Sequence, residues 1–267
     1  MRLYPCSTGG IVMSRKLLVA LVLLFGSSHA AAEFETYYLP SEIDQFTNAT
    51  GHVVDLVEEV SSDRLDPLGY RKGSKPALFG FVDLQRDEDG YFIKDVYCNK
   101  KIRSRVGPNR IPNSNIMNAE HTWPQSKGSR REPFRGDLHH LFPTDSKANS
   151  IRGNYPFGEV SGESIYFGCE SSRRGNIIDP ETGESTGQRG YEPPAEHRGN
   201  VARALFYSAA IYNKRITALE EFYLRKWHKE DPVDQEEIER NDSIEESQGN
   251  RNPFIDFPNL VENVSDF

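Results

Sequence analysis

Hydrophobic spacing divides the chain into a few clear segments. Across residues 41–64, Ile43, Phe46, Val53, Val54, Leu56 and Val57 recur at helical intervals and predict one or two amphipathic helices. From Gly80 to Tyr97 the pattern predicts a hairpin turning at Asp87-Glu88-Asp89-Gly90. From Pro143 to Gly153, Thr144 or Asp145 offers a cap and Lys147, Ala148, Ile151 and Arg152 tolerate a short helix. The strongest helical signal runs from Arg198 to Lys229, where Val201, Leu205, Ala209, Ile211, Leu219 and Trp227 give a broad apolar face. That face is expected to be core. Gly, Ser, Pro and charge dominate residues 162–194, predicting a long irregular connection with at most a small strand at Ser164 to Phe167 and no function. The tail after His228 is acidic but closes on the apolar Asn252-Pro253-Phe254-Ile255-Asp256-Phe257-Pro258, so the domain is extended to the C-terminus.

The first residues follow a different rule. Arg15 and Lys16 precede an apolar run from Leu17 to Phe25, and small residues follow through Ala32. This is the anatomy of a secretory signal peptide spanning residues 1–32, with Met13 as a candidate true start and cleavage after Ala30 or Ala32. The run is far shorter than the roughly 20 residues of a membrane-spanning helix. No membrane anchor is therefore expected after cleavage, and the destination is the periplasm or the medium. Residues 33–267, with 36% hydrophobic and 11% aromatic content over the whole chain, suffice for one substantial core, so a single domain is expected. Loss of the leader removes Cys6, and the remaining Cys98 and Cys169 are either a disulfide of an oxidising compartment or two buried thiols. Their spacing contains no Cys-x-x-Cys, which argues against a cysteine-based zinc site.

Charge sharpens the picture. The chain carries a net −8, and the leader takes Arg2, Arg15 and Lys16 with it, leaving −11. Yet residues 94–136 hold ten Lys or Arg against Asp95, Glu120 and Glu132, a local +7. A polyanion held there, against an acidic remainder, would bind in a strongly salt-dependent way.

Within and just beyond that basic segment stand Asn118-Ala119-Glu120-His121-Thr122-Trp123-Pro124 and Asp137-Leu138-His139-His140-Leu141, running on to Asn149, Arg152 and Asn154. Phosphodiester hydrolysis needs an activated water, neutralisation of charge on phosphorus and help for the departing oxygen. His121 is the natural base, because an imidazole of ordinary pKa about 6.5 accepts a proton at neutral pH. Glu120 and Asn154 offer the carboxylate and amide oxygens that suffice for Mg²⁺, which keeps most of its waters. Adjacent strand residues face opposite ways, so Glu120 and His121 must lie at a strand end or bend, and Trp123-Pro124 is consistent with that. Plainer roles compete: pairing of Glu120 with an arginine of the basic segment, closure of its helix by Asn154 in the left-handed region, a cap or salt bridge at Asp137, and buried packing or a solvent-facing position for His139. His197 and His228 are expected at the surface or at helix ends.

These segments, with Asn149-Ser150-Ile151-Arg152-Gly153-Asn154-Tyr155-Pro156-Phe157-Gly158, resemble the bacterial endonuclease I family. Gly199-Asn200-Val201-Ala202-Arg203 and Asn250-Arg251-Asn252-Pro253-Phe254 extend the likeness over most of the mature chain. The resemblance implies an α+β, mainly helical fold, with long helices around a small antiparallel sheet and a ββα-metal, or His-Me finger, core. It implies a secreted or periplasmic nuclease that cuts DNA, and often RNA, with little sequence preference. The implied general base is His121, and the implied ligands of one Mg²⁺, replaceable by Mn²⁺ or Ca²⁺, are Glu120 and Asn154. A phosphate-binding arginine is expected among Arg130, Arg131 and Arg135, with Arg131 and Arg135 carried forward as catalytic candidates. His140 and Asp137 are expected to support the site. Two other readings stand beside this one: a zinc hydrolase using His121, His139 and His140, and a non-catalytic module that binds nucleic acid. No long coiled-coil pattern suggests an oligomer, so a monomer is expected.

Overall fold

The computed structural model describes residues 36–267. The signal peptide expected at residues 1–32, with its Met13 start and its cleavage sites, lies outside them. Pro40–Phe267 form one compact unit, and Met1–Leu39 a separate one of which only residues 36–39 are described.

The chain begins this unit with α1 (Pro40–Thr47) and α2 (Val53–Ser62), as the apolar spacing predicts. A single α turn, α3 (Lys75–Ala77), then sits between π-helical stretches at Tyr70–Ser74 and Leu78–Val82. The predicted hairpin is therefore shorter than expected. It comprises only β1 (Gln85–Asp87) and β2 (Gly90–Lys94), with β3 (Lys101–Ile102) on its far edge, because Leu78, Phe79 and Val82 are drawn into the core as a helix.

β4 (Met117–His121) and β5 (Leu141–Asp145) pair antiparallel, His121 opposite Leu141 and Met117 opposite Asp145. α4 (Ser146–Arg152) follows directly, its first amides at Lys147 and Ala148 held by the Asp145 carboxylate. Of the two caps on offer Asp145 is the one used, since Pro143 and Thr144 belong to the strand. Met117 and Ala119 feed the main core with Leu78, Phe79, Ile93, Leu138, Leu141 and Ile244. The alternate residues of β4 are free to face α4.

Residues 162–194 are not irregular. They form most of a second antiparallel sheet of β6 (Val160–Tyr166), β7 (Cys169–Ile178) and β8 (Ser185–Glu192). Only one side of it is covered, so the buried positions are sparse and the exposed ones are the Gly, Ser and Arg that looked like loop. Cys98 and Cys169 are joined by a disulfide that ties the start of β7 to the segment after β2.

The predicted helix from Arg198 to Lys229 is two helices, α5 (Arg198–Ile211) and α6 (Ala218–Glu230), broken where Asn213 takes a left-handed φ of 46°. α5 is buried on nearly every side and packs against α2 and α6. The acidic tail folds as α7 (Gln235–Gln248) and α8 (Pro253–Asp256). Buried Arg203 pairs with Glu237, and Asn252 caps α8 while donating to the Arg203 carbonyl, 3.1 Å. The C-terminal motif thus closes the fold. Among the described residues the outcome is an α+β fold with three small antiparallel sheets in place of the single one expected.

Candidate active site

β4 ends at His121, and the turn beyond it is fixed by the Thr122 amide donating to the His140 carbonyl, 3.0 Å. This strand end resolves the opposite-face problem. Glu120 faces α4, whereas His121, as the last strand residue, reaches round the edge into the same space. Both line one cleft of about 510 Å³ with Asn154, Tyr70, Gln125 and Asn149.

His121 Nε2 donates to the backbone carbonyl of Arg135, 3.1 Å. That contact assigns the proton to Nε2 and leaves Nδ1 with its lone pair, toward which the Gln125 side-chain amide points at 3.3 Å. Burial, with the neighbouring His140 ring next in weight, pushes the His121 pKa down to about 3. The imidazole is therefore neutral at neutral pH. Tyr70 packs on it, ring centroids 5.0 Å apart.

Glu120 is almost fully buried, and burial pushes its carboxyl up against the opposing pull of Arg152 and Tyr97. Oε1 accepts from the Tyr97 hydroxyl, 2.9 Å, and lies 3.0 Å from Arg152 Nε, an ion pair without hydrogen-bond alignment. Among the described residues Oε2 carries no hydrogen bond. The arginine is thus one that α4 supplies, not one of the basic segment. Arg152 also donates to the carbonyls of Thr122, 2.8 Å, and Gly153, 2.9 Å, so a single buried guanidinium joins the end of β4 to the end of α4.

That second junction presents Asn154. Gly153 closes α4 with a positive φ of 59° and a ψ of −120°, outside the left-handed helical region in which Asn154 was a candidate to close it. Asn154 is exposed on the cleft, its amide donating to Ser126 Oγ, 3.1 Å. Glu120 Oε2 and the Asn154 carbonyl are the oxygens that could hold a hard dication here. Among the described residues no group of three or more His, Cys, Asp or Glu is arranged for a metal, so an ion in this cleft would draw most of its ligands from water. Mg²⁺ tolerates such a donor set, whereas structural zinc does not.

The arginine candidates separate. Arg135 is half-buried, its guanidinium lies 4.7 Å over the Tyr70 ring, and its Nε has no hydrogen-bond partner. Arg130 and Arg131 are exposed, and none of the three lines the cleft itself, Arg135 alone lying against a ring that does. Asp137 is buried. It caps the turn at Leu138–His140 and accepts from Tyr207, 2.8 Å, Tyr212, 2.7 Å, and Gln248, 2.9 Å. Burial would raise its carboxyl, but His139, His140 and these donors outweigh that and hold it below the usual range. His140 lies behind His121, ring centroids 5.5 Å apart, with Nε2 donating to the Phe134 carbonyl, 2.6 Å. His139 likewise spends Nε2 on the Asn250 carbonyl, 3.0 Å. His121, His139 and His140 do not converge, which removes the geometry a zinc hydrolase would need.

His197 and His228 sit at helix ends as expected, but both are buried, not at the surface. Tyr70, Gln125 and Tyr97 were missed. Tyr70 and Tyr97 are placed by long-range packing, such as the Tyr70 amide donating to Glu132, 3.0 Å, which no local pattern signals, whereas Gln125 lies only four residues past His121.

A family model described as Endonuclease I matches residues 54–259. An extracellular ribonuclease of Bacillus amyloliquefaciens is 37% identical over 55% of this chain and 53% of its own length. A periplasmic deoxyribonuclease of Aeromonas hydrophila is 33% identical over 49% and 51%, and an Endonuclease-1 of Buchnera aphidicola subsp. Acyrthosiphon pisum is 31% identical over 46% and 45%. The chain spans about half the length of these curated relatives.

Proposed function

The chain belongs to the endonuclease I family, and from that membership we propose that it is an exported, Mg²⁺-dependent endonuclease hydrolysing DNA and RNA phosphodiesters with little sequence preference. The observation that carries the reading is the meeting of Glu120, His121 and Asn154 on one cleft. β4, β5 and α4 then serve as the ββα-metal element. Relatives named for deoxyribonuclease and for ribonuclease activity support both substrates.

In this reading His121 Nδ1 takes the proton of the attacking water. Its Nε2–H contact with the Arg135 carbonyl holds the ring in register and favours the imidazolium that results. Gln125, now donating to Nδ1, gives way to that water or helps to orient it. Arg135, whose guanidinium lies over the Tyr70 ring at the cleft, neutralises the phosphate. Glu120 Oε2 and Asn154 would hold the ion, and Arg152 ties together the two segments that carry them. When bound, Mg²⁺ stabilises the charge of the transition state and the departing 3′-oxygen. Export is supported by the leader pattern, by the Cys98–Cys169 disulfide and by extracellular and periplasmic relatives. No helix among the described residues is long and apolar enough to cross a membrane.

The test is cleavage of supercoiled plasmid and of RNA, with Mg²⁺ and with excess EDTA, by the parent and by Asn154→Ala. The parent should cut both substrates and fall silent in EDTA. Asn154→Ala should need about tenfold more Mg²⁺ for its half-maximal rate, roughly 1.4 kcal/mol of lost binding. Undiminished cutting in chelator would refute the metal role. A mobility shift without strand breaks would make the protein a binding module.

A further inference from the structure

One aromatic side chain stands apart from every other apolar group on the surface. Phe167 is 98% exposed, whereas the next most exposed large hydrophobic residue among those described, Leu39, is 58%. It occupies the tip of the β6–β7 hairpin, in a two-residue turn with Gly168, whose φ of +87° admits glycine readily. Such a tip is ordinarily polar. Here the residue next to the turn, Cys169, is anchored by its disulfide to Cys98, so the ring is presented from a braced base.

The surroundings give the ligand's chemistry. Tyr166, just before Phe167, has Lys100 at 5.0 Å and Lys147 at 4.0 Å from its ring centroid. Lys100 is shared with Asp145 at 3.6 Å, while Lys147 makes no ion pair among the described residues. Lys147 belongs to α4, and Asn149 and Ser150 of that same helix line the cleft. α4 is seven residues long, about 10 Å. A strand leaving the cleft along α4 therefore meets two ammonium groups and then an exposed ring. Backbone cations beside an aromatic face are the elements that bind unpaired nucleic acid, since every base has a face to stack. A duplex keeps its bases stacked on one another and offers none to a protruding ring.

We propose that the β6–β7 tip is an accessory binding surface for single-stranded nucleic acid, with Phe167 stacking an unpaired base and Lys147 and Lys100 holding the adjoining phosphates. The proposal rests on the nuclease reading for the ligand's class and deepens it by naming the strandedness that this surface selects.

The test measures affinity apart from catalysis. A short dye-labelled thymidine strand and a duplex of the same length are titrated in EDTA with the parent, Phe167→Ala, Phe167→Trp and Lys147→Ala. Phe167→Ala should bind the single strand about tenfold more weakly, Phe167→Trp should restore binding, and duplex affinity should not change. Lys147→Ala should lower the slope of log affinity against log salt by about 0.7, the loss of one single-strand phosphate contact. With Mg²⁺, turnover of a small activated phosphate diester, which reaches only the cleft, should be the same in Phe167→Ala and the parent. Equal single-strand affinity of Phe167→Ala and the parent would overturn the proposal. So would failure of the parent to bind the strand, or a Phe167-dependent attachment to phosphatidylserine vesicles in its place. A parent that binds the strand through Phe167 but cleaves nothing in Mg²⁺ would sink the nuclease reading and leave this one standing.

Discussion

Arg152 shows how much a residue outside the reaction can govern it. Its guanidinium faces Glu120, Thr122 and Gly153 at once, and so couples the carboxylate to the turn that presents Asn154. Replacing it by Met should leave Glu120 buried without its cation, costing about 3–5 kcal/mol. Chemical denaturation of Arg152→Met reads that loss directly, and a change below about 1 kcal/mol would show that the carboxyl finds another accommodation. Glu120, His121 and Asn154 were legible in the sequence because adjacent and ordered residue types narrow the chemistry. The partner of Glu120 was not, because any of the seven arginines from Arg103 to Arg152 satisfies the same charge argument. His197 and His228 escaped for a similar reason. A lone histidine between polar neighbours carries no local sign of burial, and these two are covered by side chains from elsewhere in the chain.

At the scale of elements, the segments that the sequence displayed well are those with a strong period or a capping residue. α1 and α2 have the period, and α4 has its cap in Asp145. β6, β7 and β8 are not. With one face open, their exposed positions hold Gly, Ser, Arg and Glu, and β7 buries only every second or third residue. The π-helical stretches around α3 were likewise hidden, since alternation and a near-helical period look alike over so few residues. The three-stranded sheet depends on its tie to the segment after β2, which closes a loop across a sequence separation of 71. Replacing Cys98 and Cys169 by Ser should lower stability by about 2–5 kcal/mol. Thermal or denaturant melts of the double variant check this, and unchanged midpoints would mean the hairpin base is held by its side-chain contacts alone.

For the molecule as a whole, buried histidines set the response to acid. Burial, the leading cause in each, pushes His139 and His228 down to about 4 and His197 down to about 3. Above pH 6.5 these rings are neutral in both the folded and unfolded chain and cost nothing. Between about pH 6.5 and 4 the unfolded chain takes up protons that the folded one refuses, so stability falls as pH falls, by about 1.4 kcal/mol per pH unit for each fully buried ring. His197 has an unpartnered Nε2 against Phe142, so His197→Phe should fold and should flatten that slope by about the same amount. Stability measured at several pH values in this window decides it, and identical slopes would contradict the burial argument.

The account as a whole turns on a neutral imidazole at the end of β4 that takes a proton from water. Nicking of supercoiled plasmid in Mg²⁺ by the parent and by His121→Ala, with folding and DNA binding checked in parallel, tests this most directly. The variant should stay folded and bind as the parent does, while its cleavage falls by at least about 10²–10⁴-fold. Cleavage by the variant at the parental rate would contradict the account.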